Sequence, residues 1–249
     1  MTGSDDGDED ADLGDSGSER VGPDPEAADA VQEFYGRWVG LYDLIARHTP
    51  RIAAGRRAAA DACRLSPGDR AVEMGCGTGA NLPYLRSAVG PEGLALGLDV
   101  TGPAVAHARR TLDVPGDPAL GLVRGDATRP PVRGPVDAVL GTFVSGMFPD
   151  PAAAVDRWCD LAPGGHVVLV DAAPSRRPLA APLNAAFRGV VALSTPPTFR
   201  LRYDEDVTRM LDDRVTAAHR RLSDRAEAVA TAEYLFGFVR LTGGRIPEE

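Results

Sequence analysis

Glu73-Met74-Gly75-Cys76-Gly77-Thr78-Gly79-Ala80-Asn81 sets a carboxylate two residues ahead of three alternating glycines. Glycine lets the backbone approach a bound molecule closely and adopt the positive φ angles such loops need. The apolar residues before it, from Ala71, read as a strand. Leu82, Tyr84 and Leu85 after it give an apolar face to a helix starting near Asn81. The unit is a strand–turn–helix that brings main chain and a carboxylate against one ligand. Carboxylates recur at later strand ends: Asp99 closes Leu94–Val100, Asp126 follows Leu120–Arg124, and Asp171 closes a run from His166. Each offers two oxygens and several lone pairs for hydroxyl, amine or ammonium donors.

The elements that must position these groups follow a regular plan. Leu94–Val100 is a continuous apolar run, which suits a strand of a parallel sheet buried on both faces. Pro103–Leu112 reads as a helix with proline in its first turn. Val136–Thr142 is a fourth strand, and Asp137 near its start reads as structural. Leu161-Ala162-Pro163-Gly164-Gly165 turns the chain into the fifth strand, His166–Asp171. Upstream, Glu26–His48 reads as a helix by its 3.6-residue periodicity, and Arg51–Arg64 as an Ala-rich second helix. Downstream, Asp204 can cap a short helix through Leu211. Val215–Leu222 and Thr231–Arg240 read as the last two strands, with Tyr234, Phe236 and Phe238 alternating.

From Asp69 to Asp171, this order and spacing resembles the class I S-adenosylmethionine (SAM) dependent methyltransferases. The carriers are the acid-x-Gly-x-Gly-x-Gly loop, Asp99, the Gly125-Asp126-Ala127 step and the Leu-x-Pro-Gly-Gly turn. The likeness covers residues 31–171 well and the remainder in outline. It implies an α/β, Rossmann-like seven-stranded sheet, mostly parallel with an antiparallel last strand and helices on both faces. It implies SAM as cofactor. Glu73 would help hold its methionine end, Asp99 its ribose hydroxyls, and Asp126 and Ala127 its adenine. Gly75, Cys76, Gly77, Thr78, Gly79, Asn81, Val100 and Thr142 are the further cofactor-binding residues that the likeness implies. Gly75, Gly77 and Ala80 also satisfy a dinucleotide fingerprint with an acid about 20 residues on. Glu73 argues against that alternative, an NAD-dependent oxidoreductase, because an acid there would repel a pyrophosphate. A SAM-binding regulator without turnover is a further alternative.

Phe34-Tyr35-Gly36-Arg37-Trp38-Val39-Gly40-Leu41-Tyr42-Asp43 resembles a segment of the ubiquinone/menaquinone C-methyltransferases and the bacterial phosphatidylethanolamine N-methyltransferases. That likeness places Tyr35 and Tyr42 in the acceptor pocket and suggests a quinone precursor or lipid amine as acceptor. The loop after the fourth strand, with Phe143 and Met147, would face the methyl group. It lacks the Arg-Asn pair of the quinone enzymes and any obvious general base, so Asp171 is the candidate catalytic carboxylate, with a structural role as the alternative reading. A methyl on a sulfonium needs an aligned acceptor and excluded water more than a nucleophilic side chain.

Composition narrows the rest. The chain has 249 residues and a net charge of −9. Residues 1–30 hold eleven acids and one arginine, so the remainder is near neutral. Residues 1–28 therefore read as a disordered acidic tail, ahead of a methyltransferase domain over 29–249. Residues 172–203 carry arginines among apolar residues and no acid. They read as a lid on the acceptor side, suited to peripheral contact with an anionic membrane surface. No dense basic stripe points to nucleic acid, and no His/Cys cluster has metal-ligand spacing. Cys63, Cys76 and Cys159 form no C-x-x-C pair, and there is no signal-like N-terminus, which fits reduced thiols and a cytoplasmic site. The expected ligands are SAM and a small-molecule or lipid-like acceptor.

Overall fold

The computed structural model describes residues 50–112, 114–182, 184, 185, 188, 189 and 207–248. The acidic tail, the Glu26–His48 helix, Tyr35, Tyr42 and residues 190–203 of the expected lid lie outside them.

The strands are β1 (Arg70–Met74), β2 (Leu94–Asp99), β3 (Leu120–Arg124), β4 (Ala138–Thr142), β5 (His166–Ala172), β6 (Glu227–Tyr234) and β7 (Val239–Arg245). They form one sheet in the order β3-β2-β1-β4-β5-β7-β6. β1 through β5 pair in parallel, and β7 runs antiparallel to both β5 and β6. The order reverses at β1, which pairs with β2 on one side and β4 on the other. The crevice beyond the carboxyl ends of β1 and β4 is therefore the topological switch point, where open α/β sheets bind ligands.

The two-residue period of the strands sorts their side chains onto two faces. Ala71, Ala95, Leu122, Leu140 and Val168 pack with α1 (Pro50–Ala62), α2 (Leu82–Val89) and α3 (Gly102–Thr111). Val72, Met74, Leu98, Val139 and Leu169 face the opposite way, against α4 (Pro151–Leu161) and α5 (Val207–Arg225). Trp158 of α4 anchors this second layer: it is fully buried and its indole N–H donates to the Ala127 carbonyl at 2.8 Å. Helix α4 starts at a side-chain cap. The Asp150 side chain accepts from Ala153 N at 3.0 Å, and Pro151 occupies the first turn. Asp150→Ala is expected to cost about 1 kcal/mol, read as a shift of the urea midpoint at unchanged slope.

The C-terminal third corrects the sequence reading. Val215–Leu222 is not a strand but the middle of α5, which runs on past the short helix expected to end at Leu211. Val215, Ala218 and Leu222 are buried at i, i+3 and i+7, a helical spacing. The expected strand Thr231–Arg240 is also broken. Leu235, Phe236 and Gly237 all take positive φ (49°, 58° and 87°) and reverse the chain between β6 and β7. Phe236 consequently points outward, 69% exposed, instead of alternating into a sheet. The seventh strand is Val239–Arg245.

Candidate functional site

The glycine loop leaves β1 at the switch point with Gly75, Gly77 and Gly79 at φ of 68°, 53° and 73°, values that L side chains rarely adopt. Gly75 is also a close approach. A Cβ there would lie 2.5 Å from Val144 Cγ2, so the loop after β4 closes onto the glycine loop. A Cβ on Gly77 would meet nothing within 4 Å, so the backbone at the centre of the loop borders open space.

Beside the loop lies a buried polar chain. Asn81 Nδ2 donates to Glu73 Oε1 at 2.5 Å and contacts Thr142 Oγ1 at 2.9 Å, and the Thr142 hydroxyl donates to the same Glu73 oxygen at 3.2 Å. Arg56 Nη1 of α1 donates to Asn81 Oδ1 at 2.8 Å, which orients the amide with its NH₂ toward the carboxylate. The Glu73–Thr142 bond joins the ends of β1 and β4 across the crevice. Two polar atoms of this chain are buried without a partner: Glu73 Oε2, an acceptor, and Arg56 Nε, a donor. Burial pushes Glu73 up to about 7 against the opposing pull of Asn81, Thr142 and Arg56, with Asp99 adding a further upward push. A group left unsatisfied in this way costs free energy unless a ligand meets it.

Asp99 ends β2 beside the loop. Its Oδ2 accepts from Gly77 N and its Oδ1 from Thr101 N, both at 2.8 Å. Each oxygen keeps a lone pair for a further donor. Val100 is exposed, and its carbonyl accepts from Arg124 Nε at 3.1 Å. Asp126 is exposed at the end of β3 and accepts from Thr128 N and Oγ1, both at 2.8 Å, and Ala127 beside it is buried. Thr78 and Cys76 are buried in the loop. Burial, then the nearby Glu73 and Asp99 carboxylates, raise the Cys76 thiol well above its ordinary range, so it packs and does not attack. Cys63, Cys76 and Cys159 are all free and buried.

The loop after β4 exposes Phe143, at φ 55°, and Met147. Between them Ser145 turns inward to Asp171 of β5. Asp171 Oδ2 accepts from Ser145 Oγ at 2.7 Å and Oδ1 from Ser145 N at 3.3 Å. His219 Nε2 lies 3.2 Å from the same Oδ2, and its Nδ1 lies 2.8 Å from Thr242 Oγ1. A carboxylate only accepts, so Nε2 carries the proton facing it. Both Asp171 oxygens are thus engaged in a chain that pins the loop to β5, α5 and β7.

The structure brings Glu73, Asn81, Thr142 and Asp99 together around the glycine loop. It turns Asp171 away into its own network. Arg56, Ser145 and His219 were not singled out in the sequence. Arg56 lies in the expected Ala-rich helix, whose pattern carries no ligand signal, and His219 in the segment read as a strand, where its partner Asp171 could not be found.

The fold and switch-point site define the class: this is the fold of the class I SAM-dependent methyltransferases. Residues 71–165 match the family model described as a methyltransferase domain. Nocamycin O-methyltransferase of Saccharothrix syringae is 31% identical over 145 residues, 56% of this chain and 50% of that protein. Aklanonic acid methyltransferase DauC of Streptomyces sp. (strain C5) is 31% identical over 105 residues, 41% of this chain and 47% of that protein. The chain spans half or less of the length of the curated relatives it matches. Among solved structures, N-methyltransferase NodS from Bradyrhizobium japonicum WM9, in complex with S-adenosyl-L-homocysteine, superposes with a TM-score of 0.59 at 13% identity, over 88% of this chain and 100% of that one.

Proposed function

We propose that this protein transfers a methyl group from SAM to a small-molecule acceptor, with oxygen as the favoured receiving atom. The carrying observation is the buried Glu73 at the β1–β4 crevice, with Oε2 unpartnered beside the unpartnered Arg56 Nε. An acceptor and a donor held a side chain apart suit the ammonium and carboxylate of an amino-acid moiety, which SAM carries at its methionine end. The open backbone at Gly77 and the spare lone pairs of Asp99 suit the adjoining ribose. Bound there, SAM would supply the electrophilic methyl. The protein's residues bind, orient and exclude water.

Oxygen is favoured by the printed activity of nocamycin O-methyltransferase. Quinone precursors and lipid amines belong in the acceptor panel, because the residues 34–43 that suggested them lie outside the described residues. Among the described residues no helix is long and apolar enough to cross a membrane. Phe143 and Met147, exposed on the loop after β4, would line the acceptor side. Asp171 acts there as a positioning residue, since it reaches that loop through Ser145.

The test is calorimetry with SAM, S-adenosylhomocysteine and NADH, followed by an acceptor panel with SAM. Binding of the two SAM-type ligands without NADH supports the reading, and binding of NADH alone overturns it. Asp99→Ala is expected to weaken SAM binding by about 1–3 kcal/mol, because the hydroxyl donors lose a charged acceptor and Gly77 N loses its anchor. Unchanged affinity in a folded variant would remove Asp99 from the site.

A further inference from the structure

A cleft of about 300 Å³ opens between α5 and the β7–β6 edge of the sheet. Thr216, His219 and Arg220 of α5 form one wall, and Thr231, Arg240 and Thr242 of the two strands form the other. The register makes the second wall: Thr231 pairs with Thr242 and Glu233 with Arg240, so alternate residues share the face toward α5. The cleft exists because α5 packs on β7 and stops short of β6, whose residues are nearly all exposed.

Its charge is unbalanced. Arg240 and Arg176 share Asp212, at 2.8 and 3.6 Å, and Arg177 pairs with Glu233 at 3.3 Å. Glu233, the carboxylate in the cleft lining, and Asp212 are therefore each already matched to a guanidinium. Arg220, exposed at the rim, has no ion pair among the described residues. A guanidinium with no spare carboxylate beside it suits an anion. The volume is at the small end of ligand pockets, about 300 Å³, so the occupant is a small molecule or one group of it.

We propose that this cleft is a second ligand site, taking the carboxylate or phosphate group of a small molecule, separate from the glycine-loop site. It touches β6 and β7, and β7 stands three strand spacings from β1, or about 14 Å. The two places are joined by a chain of side-chain contacts. His219 in the cleft wall reaches Asp171, Asp171 holds Ser145, and Val144 beside Ser145 packs on Gly75. The anion is either part of the methyl acceptor or a separate effector.

The test titrates inorganic phosphate into the full chain at constant ionic strength held with chloride, followed by ³¹P line broadening. The expected result is saturable binding that weakens at least tenfold in Arg220→Ala and is unchanged in Arg110→Ala, an exposed arginine on α3. Equal or non-saturable responses in all three proteins would overturn the proposal, and thermal melts confirm that each variant is folded. Once an acceptor is found, phosphate competing with it would assign the anion to the acceptor. Phosphate altering SAM affinity without such competition would assign it to an effector. SAM calorimetry is read separately: phosphate failure with SAM binding intact removes only the cleft, and the converse removes only the proposed activity.

Discussion

Glu73→Gln is expected to stabilise the ligand-free protein at pH 8 while weakening its hold on SAM. The folded protein raises this carboxyl from 4.5 to about 7, chiefly by burial. An acid raised on folding keeps its proton longer in the native state. Its contribution to stability is therefore fully present below pH 4.5 and is lost as pH climbs to about 7. A shift of this size corresponds to about 3 kcal/mol at roughly 1.4 kcal/mol per unit. Glutamine does not titrate and can still accept from Asn81 and Thr142. The variant should therefore gain about 1–3 kcal/mol over wild type at pH 8 and nothing at pH 4.5. Urea midpoints at the two pH values measure this. SAM affinity should fall by about tenfold to a hundredfold at pH 8, because a cationic group loses its charged acceptor. The α-amino group of the ligand titrates near pH 8 as well, so the readout is the gap between the two proteins, which widens from pH 6 to pH 8. A gap that stays constant, or a variant no more stable at pH 8, would show that Glu73 is not the buried acid of the site.

Asp171→Ala is expected to cost about 3–5 kcal/mol of stability. It would strand the Ser145 N–H, the Ser145 hydroxyl and the His219 N–H, in a place where Ser145 is fully buried. SAM affinity should fall a few-fold with it, since the released loop carries Val144 against Gly75. Asp171→Asn separates anchoring from proton abstraction. It keeps one acceptor oxygen for Ser145 and sets an NH₂ group against His219. If Asp171 anchors the loop, any loss of methyl transfer should track the loss of stability. If it were the proton acceptor, transfer would stop while stability held. A loss under 1 kcal/mol in the alanine variant would remove the anchoring role.

Much of this fold is legible locally. Continuous apolar runs announce β2, β4 and β5, and Leu161–Gly165 announces the turn into β5, where Gly164 indeed takes φ of 74°. Three glycines after an acid announce the loop, because glycine adopts positive φ most readily, and at Gly75 and Gly79 a Cβ would also crowd Val144 and Leu112. The C-terminal third was misread for an equally local reason. Val215–Leu222 is short and mixed enough to fit two periods. Tyr234, Phe236 and Phe238 alternate as strand residues do, although three successive positive φ angles turn the chain there.

The sequence by itself determined the fold class, the glycine loop and the strand-end carboxylates Glu73, Asp99 and Asp171, because these depend on residues within a few positions of each other. The tertiary structure decided which partners each carboxylate meets. Asn81 and Thr142 reach Glu73 from 8 and 69 residues away. Arg56 joins from a helix whose own pattern says nothing of a ligand. His219 reaches Asp171 across 48 residues. Whether a strand-end acid faces a ligand or anchors a loop depends on which donors distant segments bring to it, and on how much water their packing removes. Neither quantity has a local signature in the chain.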